Sequence, residues 1–134
     1  MAKKILIVDD DQDVILFLST VLEDRGYRVI HALNGRRGLD LANAESPDLI
    51  LLDLMMPQKS GISLLSDLKR DASLKKIPVI MVTGVSGETG IDLESFFAKS
   101  EETGTETITP RPEGYLEKPV DPAKLITLIE EFLK

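Results

Sequence analysis

The sequence predicts a doubly wound α/β fold, a five-stranded parallel sheet with helices on both faces. Three observations carry that expectation. Short apolar runs alternate strictly with amphipathic stretches along the chain. The runs are continuously apolar, as strands buried on both faces must be, rather than alternating in and out. Several of them end in polar chemistry at the same chain end, with Asp9 and Asp10 after "ILIV", Asp53 closing "LILLD" and Thr83 closing "IPVIMVT". Right-handed crossovers complete a doubly wound sheet, and a strand order of 2-1-3-4-5 makes strands one and three neighbours.

Each element has its own justification. Ile5–Val8 is a β-branched run that stops at acid. In "DVILFLSTVLEDRG", Val14, Phe17, Leu18, Val21 and Leu22 form an i, i+3, i+4 stripe, and Gly26 closes the helix. "YRVIHA" is the second strand and "NGRRGLDLANAE" the second helix, ended by "SPD". "LILLD" is the third strand, and residues 61–76 read as the third helix. Pro78 stands at the entry of the fourth strand, where a missing N–H does least harm. "IDLESFFAKSEE", 91–102, fits a fourth helix with Leu93, Phe96 and Phe97 on one side. "GYLEKP" is the fifth strand; the final helix follows, with Asp121 as cap and Pro122 in its first turn. Residues 99–114, rich in Thr, Glu, Gly and Pro, offer little to bury and read as a surface loop or mobile flap.

Composition narrows the function. The 134 residues suit one domain with a proper core. A net charge of −7 argues against direct nucleic-acid binding and against an anionic membrane, since both want a basic patch. No cysteine is present, so disulfides, thiolate nucleophiles and Cys-ligated zinc are excluded. The single His31 cannot build a histidine-rich metal site. No apolar run approaches the ~18 residues of a membrane span, so membrane insertion is not expected. The chain reads as cytoplasmic.

A parallel sheet gathers the carboxyl ends of its strands on one edge, where open α/β sheets bind ligands. Asp9, Asp10 and Asp53 then converge and repel one another in a partly desolvated cleft. Either some protonate or a cation sits among them, and a hard divalent ion, Mg²⁺, suits this all-oxygen set. Lys118 adds a fixed positive charge and Thr83 a hydroxyl donor. The set describes phosphoryl transfer, with the Asp53 carboxylate as nucleophile and an acyl phosphate as product.

These residues resemble the receiver domain of two-component response regulators. "ILIVDDD", "LILLDLMMPQKSG", "IPVIMVTG" and "YLEKPV" each resemble a family motif, in the family's order, and together they span essentially the whole chain. In the second, Pro57 follows Asp53 by four positions and Gly61 by eight, as in the family. The resemblance implies a flavodoxin-like fold, a single receiver domain over 1–134, Asp53 as phosphoacceptor and Mg²⁺ held by Asp9, Asp10, Asp53 and the Met55 main-chain carbonyl. It implies phosphoryl stabilisation by Thr83 and Lys118, a switch through Thr83 and Tyr115, and a cis bond before Pro119. Its partners would be a sensor histidine kinase or phosphotransfer protein, with self-catalysed phosphotransfer and autodephosphorylation rather than classical enzyme turnover. The output face would be formed by the fourth helix, fifth strand and last helix, and homodimerisation through it is an option the resemblance carries. One departure stands out: Thr83 and Lys118 are about a dozen residues farther apart than in a standard receiver, which enlarges the region 84–114.

Blander readings apply elsewhere. Asp11 is a cap or surface residue, His31 structural or exposed, Phe96 and Phe97 core, and Arg36 and Arg37 a solvated helix face. Two other functions compete. One is an aspartyl-phosphate phosphatase of the haloacid-dehalogenase type, for which Asp9 and Asp11 offer D-x-D spacing but the motif order is wrong. The other is a phosphorylation-independent interaction module or flavin binder, against which the full acidic set and the missing Gly-rich first loop argue. With no output domain after Lys134, the expected protein is a stand-alone receiver or a fragment of a longer one.

Overall fold

In a computed structural model of the chain, residues 2–53, 61–83 and 112–133 are described. The elements are β1 (Lys4–Val8), α1 (Gln12–Asp24), β2 (Arg28–Ala32), α2 (Gly35–Glu45), β3 (Leu49–Asp53), α3 (Gly61–Arg70), β4 (Val79–Thr83), β5 (Gly114–Glu117) and α4 (Pro122–Leu133). All strand pairs are parallel, and the order is β2-β1-β3-β4-β5, as expected from the sequence. The expected helix over 91–102 and residues 99–111 of the expected 99–114 loop lie outside the described residues; at the loop's end Pro112 is buried and Gly114 already opens β5.

Alternation along the strands divides the core in two. Leu6, Val8, Ile50, Leu52, Val79 and Met81 face α2 and α3 with Ala42, Leu64, Leu65 and Leu68. Ile5, Ile7, Leu49, Leu51, Ile80 and Val82 face α1 and α4 with Leu18, Leu22, Leu125 and Ile129. Each such Leu or Ile contributes up to about 1.5–3 kcal/mol of burial free energy. This double burial is why the strands read as unbroken apolar runs.

Two expectations shift. The buried residues of α1 are Ile15, Leu18 and Leu22; Leu18 and Leu22 lie on the expected stripe with Val14 and Val21 half-buried beside them, whereas Ile15 joins it and Phe17 is exposed. The third helix stops at Arg70 rather than 76. There Asp71 Oδ1 accepts the N–H groups of Ser73 (2.7 Å) and Leu74 (3.2 Å), and its carbonyl accepts from Lys75 (2.9 Å). A side chain that satisfies local N–H groups this way competes with helix propagation.

The caps follow the sequence signals. Asn34 caps α2 by accepting the Arg37 N–H at 2.9 Å, and Asp121 accepts the Ala123 N–H at 2.9 Å. Gly26, at φ +89°, makes the turn after α1.

One glycine lets a helix approach the strand that carries the acidic pair. A Cβ on Gly38 would sit 2.8 Å from Val8 Cγ2 and 3.0 Å from its Cγ1. Val8 is fully buried and β-branched, so it has nowhere to move. Gly38→Ala is therefore expected to destabilise the chain by about 1–3 kcal/mol through overpacking, despite alanine's better helix propensity. Urea denaturation checks it, and an unchanged or raised midpoint contradicts the tight approach.

Candidate functional site

Register and alternation together build the site. Val8 pairs with Leu52, so the next residues, Asp9 and Asp53, are neighbours at the carboxyl edge. Asp9 continues the face of Ile5 and Ile7, and Asp53 that of Leu49 and Leu51. Asp9 (1 % exposed) and Asp53 (5 %) are the buried charged residues among those described. Asp10 is exposed beside them. One carboxylate oxygen from each of the three lies within 4.8 Å of the others.

Lys118 enters from the end of β5. Thr83 is opposite Glu117 in register, so the residue after Glu117 reaches the same edge. Its Nζ lies 3.0 Å from Asp9 Oδ2 and 3.6 Å from Asp53 Oδ1. Burial works to lower the Lys118 pKa. The hydrogen bond to Asp9 and the charges of Asp53 and Asp9 outweigh it, and the net direction is upward from 10.5.

The other oxygen of Asp9, Oδ1, accepts the Asp11 N–H at 2.9 Å. That N–H is itself placed by a cap: Asp11 Oδ1 accepts from Asp13 N–H at 2.9 Å, and its carbonyl accepts from Ile15 N–H at 3.1 Å. Asp11 thus caps α1 with its side chain and orients Asp9 with its backbone. Sequence reasoning found the cap but not the second role, because a main-chain donor leaves no residue-type signal.

Of the residues singled out from sequence, the structure brings together Asp9, Asp10, Asp53 and Lys118. Thr83 is placed by its backbone as the last residue of β4. Tyr115 sits in β5, half-buried against the α2–α3 side of the core. The Lys118–Pro119 bond is cis. Met55 lies outside the described residues. A cleft of about 270 Å³ beside Lys118, lined by Asp13, Val14, Phe17, Pro119 and Val120, was not anticipated. A wider one of about 460 Å³, between α1 and β2, holds none of the three carboxylates nor Lys118, so size does not mark the chemistry here.

Three carboxylates and one ammonium sum to two negative charges. That donor set fits one divalent, oxygen-seeking cation, with Asp9, Asp10 and Asp53 as the residues to hold it.

The comparisons agree with the geometry. Residues 5–130 match the model of the response regulator receiver domain. The chain belongs to this family of two-component receivers. It is 35 % identical over 130 residues to protein PilH of Pseudomonas aeruginosa, covering 97 % of each chain. It is 34 % identical to the polar-differentiation response regulator DivK of Brucella anthropi, covering 99 % of this chain and 98 % of that one. A putative response regulator from Chloroflexus aurantiacus has a similar crystal structure, with a TM-score of 0.80 at 28 % identity, covering 99 % of this chain and 98 % of that one. Receiver domains interact with histidine kinases, and this chain carries the receiver fold throughout its described residues.

The raised pKa of Lys118 makes a signed prediction for the metal-free receiver. A folded-state pKa above 10.5 means the stabilisation by Lys118 is fully present below 10.5 and is lost as pH rises through the folded value. The stability gap between wild type and Lys118→Met should therefore be constant from pH 7 to 10 and shrink above about 10.5. Denaturant midpoints across that range test it; a gap that widens with alkalinity contradicts the pairing.

Proposed function

We propose that this receiver takes a phosphoryl group onto Asp53 from a phosphohistidine on a sensor kinase or phosphotransfer protein. The observation that carries the reading is the buried Asp53 carboxylate, set beside the Asp9–Lys118 pair in a cluster that sums to two negative charges.

The chemistry follows from what the side chains can do. A carboxylate oxygen of Asp53 attacks phosphorus, a P–O bond forms, and the P–N bond to the donor imidazole breaks. The electron pair leaves with the imidazole nitrogen, which takes up a proton. Lys118, held by Asp9, offers positive charge to the incoming phosphoryl oxygens without having to reorganise. The Thr83 hydroxyl, at the end of β4, donates to another. A bound Mg²⁺, held by Asp9, Asp10, Asp53 and the Met55 carbonyl, supplies further charge neutralisation. Asp9 contributes mainly charge and orientation, since its two oxygens already serve Asp11 and Lys118.

The product carries roughly −1.5 to −2 charge on three acceptor oxygens where the Asp53 carboxylate carried one negative charge. Differential contacts with Thr83 and Lys118 would then favour one of two arrangements of β5 and its Tyr115, and hence of the output face that β5 shares with α4 and the residues before it. The reading has the receiver act in the cytoplasm with its kinase; no helix among the described residues is long and apolar enough to cross a membrane.

Intact-protein mass after incubation with acetyl phosphate tests the core of this. A gain of one phosphoryl group is expected with Mg²⁺, with none in EDTA and none in Asp53→Asn. Asp10→Asn should slow the gain by about tenfold or more. A gain that survives Asp53→Asn removes Asp53 as the acceptor.

A further inference from the structure

We propose that Lys69 and Glu113, at the sheet edge opposite the acidic site, form a clamp that makes the amino end of β5 its static end. The edge strand is then fastened where it enters the sheet, one residue before Gly114 and two before Tyr115.

The need for such a clamp follows from topology. β5 is a four-residue edge strand with β4 as its one neighbour. Residues 84–113 separate the two strands in sequence. Three or four ladder bonds on one side are a weak hold for the end of so long a crossover.

The amino end supplies the missing hold with side chains. Glu113 N–H donates to the Val79 carbonyl at 2.8 Å, and Glu113 Oε2 accepts the Val79 N–H at 2.6 Å. Both main-chain groups of the first residue of β4 are thus tied to one residue, with a carboxylate standing in for a strand carbonyl. The second carboxylate oxygen, Oε1, pairs with Lys69 Nζ. That ammonium also donates to the carbonyls of Lys75 (3.2 Å) and Ile77 (3.1 Å). Its three protons therefore match three acceptors.

The ties cross four pieces of chain: the last turn of α3, the turn after it, the start of β4 and the entry of β5. The Lys69 side chain is 13 % exposed and that of Glu113 33 %, so solvent screens the carboxylate more than the ammonium. Bonds with a charge on each side are the stronger kind. The next residue permits a close approach to the last helix: a Cβ on Gly114 would lie 3.2 Å from Leu128 Cδ2 of α4.

Residue-resolved amide hydrogen exchange on the full chain tests the clamp. Glu113→Ala and Lys69→Met should each speed exchange of the 114–117 amides by about tenfold or more, while β1 and β3 amides keep their rates. Combining the two should add little to either alone, since they break one unit. Glu113→Gln, which keeps an acceptor for Val79 but loses the charge, should fall between and guards against variants that fail to fold. Unchanged β5 exchange, or an equal acceleration across the whole sheet, overturns the proposal.

Discussion

Everything at the functional edge depends on forcing like charges together. Two carboxylates within 4.8 Å repel by about 3 kcal/mol at an effective dielectric near 20, and a third is added at the mouth. Nothing local would choose that arrangement. It is imposed by strand register: β1 and β3 are locked side by side by two layers of core, and Asp9 and Asp53 sit where those strands end. Slipping the register by one residue would turn every core side chain to the opposite face. The apolar strands therefore hold the repulsion in place, and Lys118 reduces it. A cluster so strained in charge and rigid in geometry fits a divalent cation among its carboxylates.

Positions at this edge are set by second contacts rather than by the functional groups themselves. Asp9 is held from both sides, by the Asp11 N–H and by Lys118. The Asp11 N–H is where it is because Asp11 caps α1. The helix that covers one side of the core thus also orients a carboxylate, so loss of helix order at its first turn and loss of site geometry are coupled. The packing of α2 contributes in the same way, since Gly38 lies against Val8, the residue before Asp9.

How much of this was legible in the sequence depends on the kind of signal. Strand order and site composition were, because continuous apolar runs ending in acid follow from double burial and edge chemistry. Caps at Asp11 and Asp121 were, because side-chain acceptors before a helical pattern have one common use. The stripe of α1 was legible at Leu18 and Leu22 but not in its first turns: Val14, Ile15, Leu16, Phe17 and Leu18 are all apolar, and periodicity alone does not say that Ile15 rather than Phe17 is buried. The end of α3 was not, because Asp71 is compatible with a helix until its side chain is seen to accept from Ser73 and Leu74. Glu113 drew no attention at all. It ends a polar stretch, and only its place beside Val79 distinguishes it from a solvated acid.

The two edges of the sheet are therefore built on opposite logic. At the amino edge, charged side chains are spent on the backbone. Asp48 accepts the Lys4 N–H at 2.8 Å while its own N–H donates to the Lys4 carbonyl at 2.7 Å, and Glu113 does the same for Val79. Each acid is a side-chain extension of the ladder at a strand entry; Lys69 pairs with Glu113 itself, while the Lys4 side chain pairs with Glu45 at the end of α2. At the carboxyl edge, Asp9, Asp10, Asp53 and Lys118 face one another instead. A parallel sheet permits this division because all its strands enter at one edge and leave at the other. Fastening the entries lets the exits carry charge that works against compactness, and the fold can then respond to a ligand at one edge without losing its register at the other.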